Sequence, residues 1–128
     1  MKRVTAAILI KDEQILIAKR KKGDRLAEKW EFPGGKIETN ETPEECLKRE
    51  MVEEFGIEVS VGEYFGESIY HYGHGSIKLI AYRTYWEEGD IIAKDHEEFK
   101  WVSSNQLDLF DFAPADLPFV EKLKKVSG

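Results

Sequence analysis

The most constraining feature of this 128-residue sequence is the segment from residue 34 to residue 57, GGKIETNETPEECLKREMVEEFGI. Thr42 is a typical helix N-cap, and Pro43 takes the first helical position, where a missing N–H costs nothing. Glu45 completes a capping box with Thr42, and Gly56 is able to end the helix in the left-handed conformation. The pattern predicts a helix over residues 43–55. Its predicted buried stripe consists of Leu47, Met51, Val52 and Phe55.

Three acidic residues of this helix, Glu50, Glu53 and Glu54, fall at i, i+3 and i+4, which places their carboxylates on one face. Like charges at this spacing destabilise a helix, and Glu53 and Glu54 also lie near the negative end of its dipole. One interpretation is a solvated acidic surface. The other is a site for a hard cation such as Mg²⁺, which prefers oxygen ligands and completes its shell with water and phosphate oxygens.

The same segment matches a known motif, G-x5-E-x7-R-E-U-x-E-E-x-G-U with U aliphatic, at every fixed position. The matching residues are Gly35, Glu41, Arg49, Glu50, Met51, Glu53, Glu54, Gly56 and Ile57. So many matches at fixed spacing, on a predicted loop–helix–loop, are far more specific than a lone glycine motif. The chain therefore resembles the Nudix hydrolases, with its Nudix box at residues 35–57. The resemblance implies an α/β fold, an α/β/α sandwich with a central mixed sheet.

Length, charge and cysteine content limit the domain organisation and the classes of partner that this chain can have. A chain of 128 residues is typical of one domain, so we expect a single Nudix hydrolase domain over residues 1–128. The net charge of −6, with no long basic block, argues against binding to a nucleic-acid duplex. Cys46 is the only cysteine, so it cannot form an intrachain disulfide, and a packing role is expected. The apolar N-terminal run is too short for a membrane span, and we expect a cytoplasmic protein that does not bind membranes, as a monomer or homodimer.

Apolar and β-branched runs predict the strands. These are residues 4–10 and 15–18 as a hairpin, residues 58–70 and 77–86 as a second hairpin, and residues 99–102 as a short strand. A helical turn is expected after Ser103, and a closing helix near the C-terminus.

Several residues outside the helix are candidates for contacts with substrate. Arg20, at the end of the second strand, is a candidate for a phosphate or base, although its basic run also fits a solvated turn. Lys36 is a candidate for neutralising a phosphate. Phe32 is expected either to stack on a base or to pack in the core, and Tyr72 is a candidate for the wall of a base pocket.

The Nudix resemblance adds two further expectations. A backbone carbonyl in the glycine loop contributes to the metal shell in that family, which makes Gly34 and Gly35 candidates. Many Nudix proteins also carry an acid six residues before a tryptophan of a late strand, and it reaches the metal site. Asp95 holds this place before Trp101. The familiar residue there is glutamate, so Glu97 or Glu98 is an alternative, and a solvated acidic loop is another.

The combination KWEFPGGKIE, WVS and FAPADLP resembles the MutT branch from end to end. In that branch the residue matching Asp116 contacts the base; MutT proteins have Asn there, and the similar CTP pyrophosphohydrolases have Asp. An ionised Asp only accepts hydrogen bonds, which suits the N1–H and N2–H₂ donors of a guanine but would repel N3 of a neutral cytosine unless a water or proton intervened. Asp116 is also a natural helix N-cap, and the two roles are compatible.

The resemblance implies cleavage of a nucleoside triphosphate into a monophosphate and pyrophosphate by water. Mg²⁺, with Mn²⁺ as a substitute, would be held by Glu50, Glu53, Glu54 and a glycine carbonyl and would lower the pKa of a bound water. Glu53, Glu50 or Asp95 would take the proton, and Arg49 would orient a carboxylate through a forked hydrogen bond.

We expect an enzyme that sanitises the nucleotide pool, acting first on 8-oxo-dGTP, with CTP or a modified dCTP as the alternative substrate. The alternative from another functional class is a noncatalytic nucleotide-binding regulator. Hydrolysis of ADP-ribose or a dinucleotide is a third possibility, which the MutT-like tail favours less.

Overall fold

The structure is a computed structural model that describes residues 1–23, 25–73 and 75–126. It is a six-stranded mixed sheet with one helix on each face. In chain order the elements are β1 (Lys2–Lys11), β2 (Gln14–Arg20), β3 (Trp30–Glu31), α1 (Pro43–Phe55), β4 (Glu58–Tyr72), β5 (Gly75–Glu88), β6 (His96–Val102) and α2 (Leu117–Val126). Two 3₁₀ turns, Ser104–Leu109 and Pro114–Asp116, connect β6 to α2.

Strand β1 runs through the middle of the sheet. It pairs in parallel with β5 and in antiparallel with β2, while β4 continues the sheet beyond β5. Strand β2 pairs with both β6 and the short β3. The predicted strands are therefore confirmed, each extended by one or more residues, and β3 is an element that the sequence patterns did not indicate.

Alternation along β1 and β2 divides the apolar residues between two cores. Ala7 and Leu9 of β1 face α1, which buries Leu47, Met51 and Phe55 against that side. Ala6 and Ile8 face the opposite side, where Phe119, Val120 and Leu123 of α2 are packed. This arrangement confirms the expected α/β/α sandwich with a mixed sheet.

The ends of α1 are those predicted. The Thr42 hydroxyl accepts from the Glu45 N–H, the Glu45 carboxylate accepts from the Thr42 N–H, and Gly56 has a left-handed φ of 69°. The prediction that Val52 belongs to the buried stripe is wrong, because this residue is 48% exposed. It lies well away from the line through Leu47 and Met51, on the outer side of the helix.

The glycine loop is held directly against β1. The Thr5 N–H donates to the Gly35 carbonyl at 2.8 Å, and the Ile37 N–H donates to the Arg3 carbonyl at 3.0 Å. A Cβ on Gly34 would lie 2.0 Å from the Thr5 carbonyl oxygen, so the backbone approaches β1 too closely for any side chain there. This contact fixes the start of α1 relative to the sheet.

Cys46 is buried beneath the same loop, with its sulfur 3.3 Å from the Thr5 hydroxyl. Burial raises the pKa of its thiol to about 11, which agrees with the expected packing role. Within the described ranges, no helix is long and apolar enough to cross a membrane.

Candidate active site

A cavity of about 700 Å³ opens between the glycine loop, β1, the edge of β2 and β3, and the segment before α2. That volume falls in the range of pockets for small organic ligands. Its polar lining consists of Lys2, Thr5, Arg20, Arg25, Glu31, Tyr72 and Asp116, and its apolar lining includes Val4, Leu26, Phe32, Ile77, Leu79, Ala113 and Ala115. Four of the five predicted substrate contacts therefore lie around one cavity: Arg20, Phe32, Tyr72 and Asp116.

Asp116 lies at the inner end of this cavity and is 5% exposed. Its Oδ1 accepts the Phe32 N–H at 3.1 Å, so the carboxyl joins the segment before α2 to the chain after β3. Burial, reinforced by the nearby Glu31 carboxylate, raises the pKa of Asp116 well above its usual value. The shift is toward the neutral carboxyl, which donates as well as accepts, whereas the ionised form considered from the sequence only accepts.

Phe32 and Tyr72 combine packing with exposure to the cavity. The Phe32 ring is buried and lies 5.3 Å from the Phe112 ring, so it belongs to the core and lines the cavity at the same time. The Tyr72 ring contacts Tyr70 edge-on at 4.7 Å. Burial, with Asp116 nearby, raises the pKa of the Tyr72 hydroxyl, which therefore stays protonated as a hydrogen-bond donor.

The side wall of the cavity contains an ion-pair cluster. The Arg20 Nη1 lies 2.8 Å from the Glu31 Oε1, and the His96 Nε2 lies 2.7 Å from the Glu31 Oε2. Arg20 and His96 are partners across β2 and β6, and Glu31 projects from β3 beside them. Glu31 was not singled out from the sequence, because only the pairing of three distant strands brings it to the cavity.

At the other end of the glycine loop, α1 presents its acidic ridge, Glu50, Glu53 and Glu54. The Glu50 carboxylate lies directly against Gly35, where an added Cβ would be 2.3 Å from the Glu50 Cδ. Partial burial raises the pKa of Glu50. Gly35 therefore has its own reason to be glycine: the Glu50 carboxylate fills the space that a side chain would occupy.

Arg49 organises the ridge. It forms a forked pair with Glu41, with Nε–Oε2 at 2.6 Å and Nη2–Oε1 at 2.9 Å, and donates to the Lys36 carbonyl at 3.0 Å. Its Nη1 lies 3.0 Å from Glu50 and 3.1 Å from Glu53. The predicted forked hydrogen bond exists, although Glu41 is the carboxylate that receives it.

Glu54 faces the loop that contains Asp95. Burial and the Asp95 carboxyl raise the pKa of Glu54 to about 7, and the same contact lowers the pKa of Asp95. The Glu54 Oε2 is buried and has no hydrogen-bond partner within the part of the chain that the structure describes. Asp95 thus lies beside the acidic ridge, as the resemblance implied.

Lys36 and the glycine carbonyls are the remaining predicted substrate- and metal-binding groups. Lys36 is exposed and borders a separate groove beside Glu50, outside the large cavity. The Gly35 carbonyl accepts from both the N–H and the hydroxyl of Thr5. These bonds turn the Gly35 carbonyl toward β1 and leave the Gly34 carbonyl as the better candidate of the two for a ligand contact.

Comparison with protein-family models matches residues 1–123 to the NUDIX domain. The chain belongs to the NUDIX domain family. Among its relatives, the CTP pyrophosphohydrolase of Escherichia coli K12 is 37% identical over 118 residues, 92% of this chain and 87% of that protein. The 8-oxo-dGTP diphosphatase of the same strain is 36% identical over 129 residues, 98% of this chain and 100% of that protein.

Solved structures agree with this assignment. The solution structure of the E. coli ORF135 protein has a TM-score of 0.86 and 35% identity to this NUDIX domain, covering 100% of this chain and 91% of that one. The expected Nudix fold is confirmed. The chain is an enzyme that hydrolyses phosphoric anhydrides.

NUDIX hydrolases in general need a divalent metal, and the donors of the acidic ridge fit one. All the candidate donors are carboxylate or carbonyl oxygens, the donor type that Mg²⁺ and Mn²⁺ prefer. The buried Glu54 Oε2, which has no partner among the described residues, is an oxygen free to bind an ion. Burial and the neighbouring Asp95 disfavour the charged form of Glu54 and raise its pKa, and a bound cation would reverse this effect. Among the described residues, no three His, Cys, Asp or Glu side chains are arranged to hold an ion, and Glu50 and Glu53 are both paired with Arg49.

The close contact between Gly35 and Glu50 gives a direct test of this NUDIX site. Replacing Gly35 with alanine is expected to displace the Glu50 carboxylate and lower kcat by about a hundredfold, the scale of a 1 Å misplacement. Steady-state hydrolysis measures the effect. Gly73→Ala is the matched control, because no described atom beyond its chain neighbours lies within 4 Å of the added Cβ. Equal rates for both variants would contradict the claim that Gly35 leaves the space that the Glu50 carboxylate needs.

The Glu41–Arg49 pair makes stability depend on acidity. The hydrogen bonds that Glu41 accepts from Arg49 lower the pKa of Glu41 from 4.5 to about 2. Ionised Glu41 therefore stabilises the fold above pH 4.5, and this contribution is lost as the pH falls toward 2. We expect the Tm of the native chain to fall more steeply over this interval than that of Glu41→Gln, as measured by circular dichroism. Parallel curves would show that the pair does not stabilise the fold.

Proposed function

We propose that this NUDIX domain hydrolyses nucleoside triphosphates to a monophosphate and pyrophosphate, with 8-oxo-dGTP as its preferred substrate and CTP or a modified dCTP as the second candidate. The observation that supports this proposal is one cavity lined by both the buried Asp116 and the Gly34–Gly35 loop. The Glu50 carboxylate of the acidic ridge lies against Gly35 of that loop. A base at Asp116 would direct the phosphates toward the ridge. The relatives named as an 8-oxo-dGTP diphosphatase and a CTP pyrophosphohydrolase support both candidates.

For the choice of base we take Asp116 as neutral, the direction in which burial shifts its pKa. A protonated carboxyl donates through one oxygen and accepts through the other. Oxidation of guanine at C8 places a proton on N7, so that N7–H and O6 form a donor–acceptor pair that complements this carboxyl. Ordinary guanine presents two acceptors, N7 and O6, on this edge and does not. We therefore propose that the N7–O6 edge of the base is the one that faces Asp116, because N1–H and O6 are the same in both guanines. Cytosine offers N4–H₂ and N3, which also complement a neutral carboxyl, and this observation keeps CTP as the second candidate.

Glu50, Glu53, Glu54 and the Gly34 carbonyl would hold the metal, which we propose is Mg²⁺. When bound, Mg²⁺ neutralises phosphate charge and acidifies a coordinated water. To reach it, the carboxylates of Glu50 and Glu53 must turn away from Arg49, which then remains paired with Glu41. Arg20 and Lys36 would contact phosphate or base from either side of the glycine loop.

In this reaction the protein chiefly positions the water and the phosphates and supplies a proton acceptor. The oxygen of water forms a bond to phosphorus, the bond from phosphorus to the bridging oxygen breaks, and the water proton passes to a carboxylate. Glu53, Glu50 and Asp95 are the candidates for that carboxylate. Asp95 is exposed, and its pKa is lowered toward the ionised form. Glu53 forms a partly exposed pair with Arg49.

A substrate panel tests the proposal. Pyrophosphate and monophosphate release would be measured with 8-oxo-dGTP, dGTP, CTP, dCTP and ADP-ribose, with Mg²⁺, with Mn²⁺ and with EDTA. We expect 8-oxo-dGTP to exceed dGTP by about a hundredfold or more in kcat/KM, about 2.7 kcal/mol, and EDTA to abolish turnover. Faster hydrolysis of CTP would reverse the order of the two candidates. Binding without pyrophosphate release from any nucleotide would identify a noncatalytic regulator instead.

A further inference from the structure

His96 lies between the two ends of the site and contacts both the wall of the cavity and the end of α1. Its ring is 9% exposed and lies between Glu31 of β3 and Phe55, the last residue of α1. The Nε2 is 2.7 Å from the Glu31 Oε2, and the ring stacks on Phe55 at 5.2 Å with an interplanar angle of 25°. Because an ionised carboxylate only accepts, the Nε2 carries the donated proton.

On the cavity side, His96 holds one of two oxygens of Glu31. Arg20 holds the other, at 2.8 Å, so the carboxylate is fixed from two directions. Glu31 lines the cavity and lies near enough to Asp116 to help raise the pKa of that residue. A base that enters beside Asp116 therefore meets a wall whose position depends on His96.

On the opposite side, His96 is joined to the acidic ridge. It follows Asp95 in sequence, and its stacking partner Phe55 follows Glu54. The backbone reinforces this link, because the Lys94 N–H donates to the Glu54 carbonyl at 3.1 Å and the Ile92 N–H donates to the Phe55 carbonyl at 3.0 Å. A shift of the His96 ring would therefore move the loop that places Asp95 beside Glu54.

The ring also has little freedom to absorb a shift locally. Within the described ranges, the interactions that orient the ring are the hydrogen bond to Glu31 and the stack on Phe55, and the buried Nδ1 has no protein partner. Energetic coupling between sites travels through packed and hydrogen-bonded contacts of this kind.

We propose that His96 is a positioning residue that couples occupation of the base pocket to the placement of Asp95 at the acidic ridge. This inference rests on the proposed function, because it takes the cavity at Asp116 as the base pocket. A correct base would fix Glu31, and through His96 the Asp95 loop, in the arrangement that favours hydrolysis.

The test uses backbone amide chemical shifts in the full chain, with a nucleoside monophosphate as the probe and no metal present. The Phe32 amide reports occupation of the pocket, because it is bonded to Asp116. In the native chain we expect both the Phe32 and the Asp95 amides to shift on titration with 8-oxo-dGMP or CMP. In His96→Phe, which keeps a ring against Phe55 but removes the donor to Glu31, the Phe32 shift should persist and the Asp95 shift should be lost.

Kinetics supply a second readout. For His96→Phe we expect kcat to fall about tenfold, within the range seen when a supporting hydrogen bond is removed, with an unchanged circular dichroism spectrum. His96→Gln retains an N–H donor and should recover part of both kcat and the Asp95 shift. Lys100→Gln, an exposed position on the same strand, is the matched control and should resemble the native chain.

The outcomes separate the two claims. If the Asp95 amide shifts equally in the native chain and in His96→Phe, or if His96→Phe matches Lys100→Gln in kcat, the coupling through His96 is wrong while the base pocket stands. If the Phe32 amide of the native chain responds to no nucleotide, the proposed pocket fails and this inference fails with it.

Discussion

Replacing Glu53 with glutamine is expected to lower kcat by about a thousandfold, the scale of losing one strong charged interaction at a reacting centre. The substitution removes a negative charge from the acidic ridge without changing the volume of the side chain. Glu53 is 54% exposed, and its ion pair with Arg49 is of the kind that contributes little to folding. The Tm should therefore change by only a few degrees while turnover is lost.

Glu44→Gln is the matched control for this experiment. Glu44 is an exposed acid in the first turn of the same helix, so its loss removes one charge from α1 without touching the ridge. Steady-state pyrophosphate release and thermal unfolding should be measured for both variants. Near-normal turnover in Glu53→Gln would remove Glu53 from the catalytic residues, and a large fall in Tm would assign it to folding.

The second large effect is expected at Asp116. Asp116→Ala should lower kcat/KM for the preferred substrate by about a hundredfold, about 2.7 kcal/mol, mainly through KM, because it removes the proposed partner of the base. It also leaves the buried Phe32 N–H without its acceptor, which costs about 1–3 kcal/mol of stability. Kinetics should therefore be measured below the lowered Tm.

Asp116→Asn separates recognition of the base from packing. An amide donates and accepts as a neutral carboxyl does, and it still offers an oxygen to the Phe32 N–H. We expect this variant to keep most of its activity and its selectivity against dGTP. Asp108→Asn, an exposed carboxylate paired with Lys124, is the control. Loss of selectivity in Asp116→Asn would indicate that the ionised carboxylate recognises the base.

The helix α1 and its ends were predictable from the sequence because their signals are local. The capping box joins residues three apart, and the C-terminal glycine acts within one turn. The same locality explains why the acidic ridge and Arg49 could be proposed as a unit. The error at Val52 arose because helical spacing alone does not show how far the buried face extends around the helix.

The cavity wall could not be predicted, because it depends on pairing between strands far apart in sequence. Glu31 and His96 are 65 residues apart and meet only when β3 and β6 both pair with β2. A two-residue strand such as β3 has no periodicity to detect. His96 could have been noted because it follows Asp95, the acid expected near the metal site. The sequence alone, however, does not predict which way a histidine ring in an acidic loop points.

The ionisation of Asp116 is a further property that residue type alone does not supply. A reference pKa describes a carboxyl in water, and the shift at Asp116 comes from its burial beside Glu31. The resemblance to the MutT branch implied that this residue contacts the base. The packing around it adds the direction of the pKa shift, toward the neutral carboxyl, and the two forms complement different bases.

A crystal structure of the chain with Mg²⁺ and a nonhydrolysable nucleoside triphosphate examines the site most directly. We expect carboxylate oxygens from Glu50, Glu53 or Glu54 about 2.0–2.1 Å from the ion, phosphate oxygens completing its shell, and the base beside Asp116. An acidic ridge still paired with Arg49, with the ion absent and the phosphates bound elsewhere, would contradict the assignment of this ridge as the metal site.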